Sequence, residues 1–202
     1  FVPSRGLGDV YKRQVLEIKA GFAKGMFTGF IRVKGKPLGL IANNPLFLAG
    51  AIDSDGADKA SRFIKICENY NIPILSLCDT PGMMVGPEIE ETGLVRHCCR
   101  LFLAGANVTV PMMTIVLRKA YGLGAQAMAG GSFMAPQFVV GWPTAEIGAM
   151  GLEGAVKLGY RKELEAESDV EKKEKLFKKL VDDLYEKGKA INAASLLEFD
   201  TV

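Results

Sequence analysis

The stretch TIVLRKAYGLGAQAM, residues 114–128, decides the fold. Thr114–Leu117 is an apolar run of strand type, and Arg118-Lys119-Ala120-Tyr121-Gly122-Leu123-Gly124 carries it into a glycine-bearing turn. Mostly small residues follow as far as Gly131, and a helix is expected over Ala125 to Ala129. The same order recurs upstream. Pro73–Cys78 (PILSLC) is nearly continuous in apolar residues, as expected of a strand covered on both faces. It ends in the turn Asp79-Thr80-Pro81-Gly82, and a helix is expected around Glu91–Ala104 with Leu94, Cys98, Leu101 and Phe102 along one side. Gly105 and Asn107 supply stop signals beyond it.

Farther out, Phe30–Val33 and Pro37–Ala42 read as short strands split by the hairpin-like turn Lys34-Gly35-Lys36. Asp55-Gly56 opens a helix through Tyr70, whose Ala60, Phe63, Ile64 and Cys67 follow helical spacing. Phe138–Trp142 reads as another strand and Gly151–Tyr160 as a short helix. Residues 161–189 hold nine basic and nine acidic residues, and Leu176/Phe177, Leu180/Val181 and Leu184/Tyr185 recur every four positions. That spacing predicts one amphipathic helical region packed on the main body. Strands alternating with helices predict an α/β layered domain.

At 202 residues, 49% apolar and 24% charged, the chain can bury a core without metal or disulfide staples. No apolar run reaches the roughly 18 residues of a membrane span. The net charge of +2 traces to residues 1–14, FVPSRGLGDVYKRQ, where Arg5, Lys12 and Arg13 face only Asp9. This segment has neither a signal-peptide core nor a periodic pattern and reads as a non-native or disordered leader. The remainder is balanced, so no nucleic-acid partner is expected. Cys67, Cys78, Cys98 and Cys99 form no CxxC pair, and adjacent Cys98 and Cys99 point to different helix faces. Reduced thiols in the cytoplasm or an organelle matrix are the simplest reading.

Side-chain catalysis finds little support. His97 is the one histidine; it is expected to be structural, and zinc sites built on several histidines are excluded. Asp53, Asp55 and Asp58 lack the terminal glutamate of a calcium loop and suit helix capping instead. Gly122-Leu123-Gly124 is followed by no Gly-Lys-Ser/Thr and is not a phosphate loop. Backbone chemistry remains. Two glycine turns, at Gly82 and at Gly122–Gly124, each follow the carboxyl end of an apolar strand, where ligands of open α/β sheets gather. Met150-Gly151-Leu152-Glu153-Gly154-Ala155 adds a third glycine-led helix start. Unpaired N–H groups at such starts suit an oxyanion. From the residues alone, tight turns and close helix packing account for the glycines equally well.

Four segments in this order and spacing, GFAKGMFTGFIRVKGKPLGLIANNP, DTPGMMVGPEIEETGLVRH, TIVLRKAYGLGAQAM and GWPTAEIGAMGLEGAV, resemble the biotin-dependent acyl-CoA carboxyltransferases of the propionyl-CoA and acetyl-CoA carboxylase type. The resemblance runs from about Val15 to Val202 and corresponds to the carboxyl-terminal half of that family's two-module chain. It implies a crotonase-like α/β fold, the ββα spiral. It implies transfer of a carboxyl group from carboxybiotin to the α-carbon of a coenzyme A thioester. By the same resemblance, backbone N–H groups of Gly122, Leu123 and Gly124 hold the biotin ureido oxygen. Tyr121, Gly124, Ala125 and Gln126 contact the cofactor, and Gly82 and Met83 sit where relatives place a further oxyanion donor. No metal is implied.

The implied partners are an amino-terminal carboxyltransferase module, a biotin carboxyl carrier, a biotin carboxylase and further copies of the chain. Three positions depart from the propionyl-type pattern: Leu123 replaces a glycine, Gly124 an alanine, and Gln126 an acidic residue that helps set acyl preference. The alternatives are a biotin-dependent decarboxylase subunit running the reverse half-reaction and a non-catalytic oligomerisation module. A crotonase-like hydratase or a Clp-type peptidase fits less well. The peptidase wants a serine near the second turn, and none occurs from Gly122 until Ser132.

Overall fold

A computed structural model describes residues 15–202. The leader expected over residues 1–14 lies outside the described residues. The described residues build seven strands in one sheet: β1 (Val15–Glu17), β2 (Met26–Val33), β3 (Lys36–Asn43), β4 (Ile74–Thr80), β5 (Met112–Tyr121), β6 (Phe138–Gly141) and β7 (Glu146–Gly148). Strands β1 to β3 are antiparallel neighbours; β3, β4, β5 and β6 run parallel. The expected hairpin is observed between β2 and β3. Lys34 and Gly35 both take positive φ, 49° and 79°, the twist that a two-residue turn needs between right-twisted strands.

Helix α1 (Ser54–Asn69) starts at Asp53, whose carboxylate accepts the Gly56 N–H at 2.7 Å. This satisfies one of the four amides that a helix start leaves unpaired. The predicted stripe Ala60, Phe63, Ile64 and Cys67 is buried, and Phe63 meets Phe30 of β2 with ring centroids 5.1 Å apart. The second helix region begins later than expected and runs through the expected stop at Gly105 as far as Ala106. A single turn, α2 (Pro87–Glu90), precedes α3 (Leu94–Ala106), because Gly93 at φ 71° breaks the run between them. Leu94, Cys98 and Leu101 are buried, Cys99 is exposed, and Asn107 ends the helix as expected.

Burial in the sheet corrects one expectation. Pro73–Cys78 is not covered equally on both faces: Ile74, Ser76 and Cys78 are buried, whereas Leu75 and Leu77 are half-buried. Strand β5 repeats the alternation, with Thr114 and Val116 buried between half-buried Met113, Ile115 and Leu117. Helix α1 lies on the buried face.

Strand β5 is also longer than its apolar core suggested. Its first half, Met113–Val116, pairs with β6, and its second half, Lys119–Tyr121, pairs with β7. Between them the register against β4 slips: Cys78 pairs with Val116, but Thr80 pairs with Ala120. Two residues of β4 thus span four of β5, a bulge that bends the strand and re-aims its end. Helix α4 (Gly122–Met128) follows directly.

Helix α5 (Leu152–Gly159) matches the predicted short helix. The charged region divides into α6 (Arg161–Ala166) and α7 (Val170–Gly188), because Asp169 caps the second helix by accepting from the N–H groups of Glu171 and Lys172. Helix α8 (Ala190–Ser195) completes the set, and the segment after it returns to the sheet edge. Phe199 is buried edge-on to Phe133, and the Val139 N–H donates to the Asp200 carboxylate at 2.6 Å.

His97 has a structural partner. Its Nδ1 lies 2.9 Å from Asp58 Oδ2, and Arg100 Nη1 reaches both Asp58 oxygens at 3.1 Å, tying α3 to α1. Burial would raise the Asp58 carboxyl, but hydrogen bonds and charge from His97 and Arg100 outweigh it, and its pKa is lowered. A depressed folded-state pKa gives stability that is present above the unfolded value and lost as pH falls through the folded one. Asp58→Asn is therefore expected to unfold at lower denaturant than the parent at pH 7, with the gap closing below about pH 4. Urea titrations of both proteins across that range check it.

Candidate active site at three converging turns

Three chain turns meet where β4, β5 and β7 end. A Cβ built on Gly124 would lie 2.6 Å from the carbonyl carbon of Gly82 and 2.7 Å from its Cα, so the two glycines touch backbone to backbone. On the other side Gly122, at φ 56°, would place a Cβ 2.8 Å from the carbonyl oxygen of Ala149. Only glycine satisfies both demands at Gly122, positive φ and close approach. The turns expected from sequence to host a site are thus brought together.

Their donors differ in availability. Thr80, fully buried, locks the first turn: its Oγ1 accepts the Gly82 N–H and donates to the Gly82 carbonyl, both at 3.1 Å. The Gly82 N–H therefore already has a partner within its own turn. Met83 differs. Ile52 donates to the Gly82 carbonyl at 3.0 Å and accepts from the Met84 N–H at 2.9 Å, so the intervening Met83 N–H points away from Ile52. The Met83 sulfur rests 3.3 Å from the Cys98 thiol.

At the second turn, Gly122, Leu123 and Gly124 are the first residues of α4, whose N–H groups have no carbonyl one turn behind them. Among the described residues no side chain caps this helix, and no turn or loop hydrogen bond is donated by Leu123 or Gly124. Leu123 has no positive φ, and its side chain is 62% exposed, so the leucine fits without strain and places its bulk in solvent. Gly124 is buried under Gly82. Tyr121 and Ala125 are buried as well and can offer a ligand main-chain atoms only. Gln126 alone of the expected cofactor contacts presents its side chain to open space.

A cleft of about 340 Å³ opens beside the turn, lined by Gly122, Gln126, Phe133, Ile147 and Leu196 among others. A second, of about 270 Å³, shares Ile147, Gly148 and Ala149 with it and is lined beyond them by Met150, Leu152 and Leu184. The buried titratable groups are poor catalysts. Burial pushes the thiols of Cys67 and Cys78 up to about 12 and that of Cys98 to about 11, so none is a thiolate at neutral pH. Burial, then the Glu146 carboxylate, drives the Tyr121 phenol well above its ordinary range. Among the described residues no group of three or more His, Cys, Asp or Glu side chains could hold a metal ion. No described helix is long and apolar enough to cross a membrane.

Comparison with known proteins agrees on one family. The carboxyl transferase domain matches residues 5–201. The methylmalonyl-CoA carboxyltransferase 12S subunit of Propionibacterium freudenreichii subsp. shermanii is 42% identical over 154 residues, covering 76% of this chain and 29% of that protein. The propionyl-CoA carboxylase beta chain of Cereibacter sphaeroides is 44% identical over 148 residues, covering 73% and 29%. This chain thus spans about three tenths of the length of these curated relatives. Among solved structures, a single-chain, multi-domain long-chain acyl-CoA carboxylase superposes with a TM-score of 0.84 at 52% identity, over 94% of this chain and 19% of that one. The transcarboxylase 12S hexamer with bound methylmalonyl-CoA superposes with a TM-score of 0.85 at 36% identity, over 93% and 36%.

The glycine contact makes a stability prediction. Gly124→Ala forces its methyl against the Gly82 backbone and is expected to cost about 1–3 kcal/mol, the usual range for overpacking. Gly154→Ala, inside α5 and with nothing within 4 Å of its Cβ, is expected to be neutral or slightly stabilising. Denaturation midpoints of the two variants side by side test the difference.

Proposed function

The chain belongs to the carboxyl transferase domain family, of crotonase-like fold, and on that premise we propose that it forms the biotin-side half of an acyl-CoA carboxyltransferase. The observation that carries this reading is the pair of unengaged amides at Leu123 and Gly124, beside a turn that offers the Met83 N–H. Carboxybiotin, when bound, supplies the carboxyl group. The chain's own contribution is fixed dipoles. Two N–H groups without a partner lie next to each other at the start of α4 and carry the positive partial charge of a helix start. They stabilise negative charge where it develops without any residue having to ionise or reorganise. Met83 offers a third donor toward the thioester side. The donor set fits a neutral urea that becomes anionic, because amides hydrogen-bond the oxygen in both states and bind it harder in the charged one.

The acyl group is proposed to be longer than propionyl. Gln126 is uncharged where an acidic residue would oppose an apolar chain, and Phe133, Ile147 and Leu196 line the same cleft, whose charged groups are Lys187 and Glu198. The 52% identity with a long-chain acyl-CoA carboxylase supports the same substrate class. The proposed partners are an amino-terminal carboxyltransferase module, a biotinylated carrier with its biotin carboxylase, and further copies of this chain. The transcarboxylase 12S relative assembles as a hexamer.

Two measurements test this in a carboxylase assembled from those components. Leu123→Pro removes one N–H at a helix position where proline's φ is tolerated, and Leu123→Ala keeps it. The proline variant is expected to lose about 10²-fold in kcat relative to the alanine variant, the usual cost of one oxyanion donor. Equal turnover in the two contradicts the donor role. Second, kcat/KM is expected to rise from acetyl- through propionyl- to palmitoyl-CoA, with Gln126→Asp lowering the palmitoyl value most. A flat or falling series contradicts the long-chain assignment.

A further inference from the structure

We propose that Asp79 is the positioning residue that aims the second turn, a role that rests on the oxyanion reading of Leu123 and Gly124 above. Asp79, the penultimate residue of β4, has 8% of its surface exposed and lies three residues ahead of Gly82. Its carboxylate reaches sideways into the bulge of β5. Oδ1 accepts the Lys119 N–H at 3.2 Å and lies 3.4 Å from Arg118 Nε; Oδ2 lies 3.3 Å from Arg118 Nη2. The bulge is where such help is needed. Where two residues of β4 oppose four of β5, main-chain groups of the longer strand lose their ladder partners, and a buried unpaired amide is costly.

Asp79 takes the orphaned Lys119 N–H, and the neighbouring Cys78 thiol donates to the Lys119 carbonyl at 3.8 Å. Asp79 is itself fixed from β3, because its own N–H donates to Asn43 Oδ1 at 3.1 Å. Two residues after this clamp come Tyr121 and the turn Gly122–Gly124. One carboxylate thus sits on the strand that carries Gly82 and holds the strand that carries Gly124. It sets the spacing at which the two glycines touch, and with it the direction of the Leu123 and Gly124 amides.

The amide capture, and not the ion pair, does this work. Arg118 is 55% exposed at its side chain and its contacts are long, so solvent screens it. Lys119 N–H is a main-chain donor inside the bulge and cannot move without moving the turn.

The test uses the assembled carboxylase with three variants and two readouts: steady-state kinetics with an acyl-CoA, and hydrogen–deuterium exchange of peptides covering residues 118–124. Asp79→Ala is expected to speed exchange there and to lower kcat about 10²-fold, as a misplacement near 1 Å does, with KM for acyl-CoA within twofold. Asp79→Asn keeps an oxygen for the Lys119 N–H and is expected to recover most of both. Arg118→Met is expected to change kcat less than about threefold. Unchanged exchange in Asp79→Ala overturns the proposal, as does faster exchange with kcat preserved, and so does an Arg118→Met loss as large as that of Asp79→Ala. Failure of the oxyanion reading registers separately, in the comparison of Leu123→Pro with Leu123→Ala, which leaves the clamp intact.

Discussion

The contact of Gly82 with Gly124 governs this molecule. Two main chains meet at a distance that a side chain on Gly124 could not allow, and each belongs to a turn leaving the end of a parallel strand. Parallel neighbours deliver their carboxyl ends to the same edge of a sheet, so the turns after β4 and β5 are adjacent for topological reasons. Adjacency alone leaves them a few ångströms apart. The bulge in β5 and its change of partner from β6 to β7 close the remaining distance, and Thr80 stiffens the other side by bonding both the N–H and the carbonyl of Gly82. Close packing then transmits any shift in one turn to the other.

Local signals in the sequence were readable where the physics is local. Asp53 caps α1 within three residues, and Ala60, Phe63, Ile64 and Cys67 mark its buried side by spacing alone. The hairpin at Lys34-Gly35 needs no long-range partner to be recognised. Other features depend on what lies across the sheet. Strand β7, three residues long, is too short to show alternation, and β1 shares that limit. The polar pair Arg118-Lys119 hid the second half of β5, because its pairing with β7 and with the Asp79 carboxylate is a tertiary matter. The continuous apolar run of β4 suggested cover on both faces, yet Leu75 and Leu77 are only half-buried, and apolar composition does not tell burial from partial exposure. The break at Asp169 was visible as an Asp ahead of a periodic run, but the uniform charge on both sides masked it.

The candidate site was legible to the same extent. Glycine turns after apolar strands announced where a ligand could approach, and the resemblance singled out Gly122 to Gly124. Which N–H groups stay available was not legible, since that depends on angles and neighbours. Gly82 illustrates this: its proton goes to a threonine two residues back, an arrangement that sequence spacing permits without requiring. Asp79 is the clearest omission. An aspartate in an Asp-Thr-Pro-Gly stretch reads as a turn former, and only the register slip shows it to be an acceptor for another strand's amide.

A site made of main-chain amides obeys different substitution rules from one made of side chains. Every residue but proline carries the same N–H, so exchange of glycine for leucine at position 123 keeps the donor wherever φ is not positive, as at Leu123. Constraint moves instead to residues that fix where the amides point. Gly122 is held by its positive φ and the Ala149 carbonyl, Gly124 by the Gly82 backbone, and Lys119 by a buried carboxylate. The wall around the donors is then free to change with the substrate, as Gln126 in place of an acidic residue illustrates. On the proposed reading, charge stabilisation and acyl selection fall to different atoms, one set in the backbone and the other in side chains, so acyl specificity can change while the donors that stabilise the charge left on the urea oxygen stay in place.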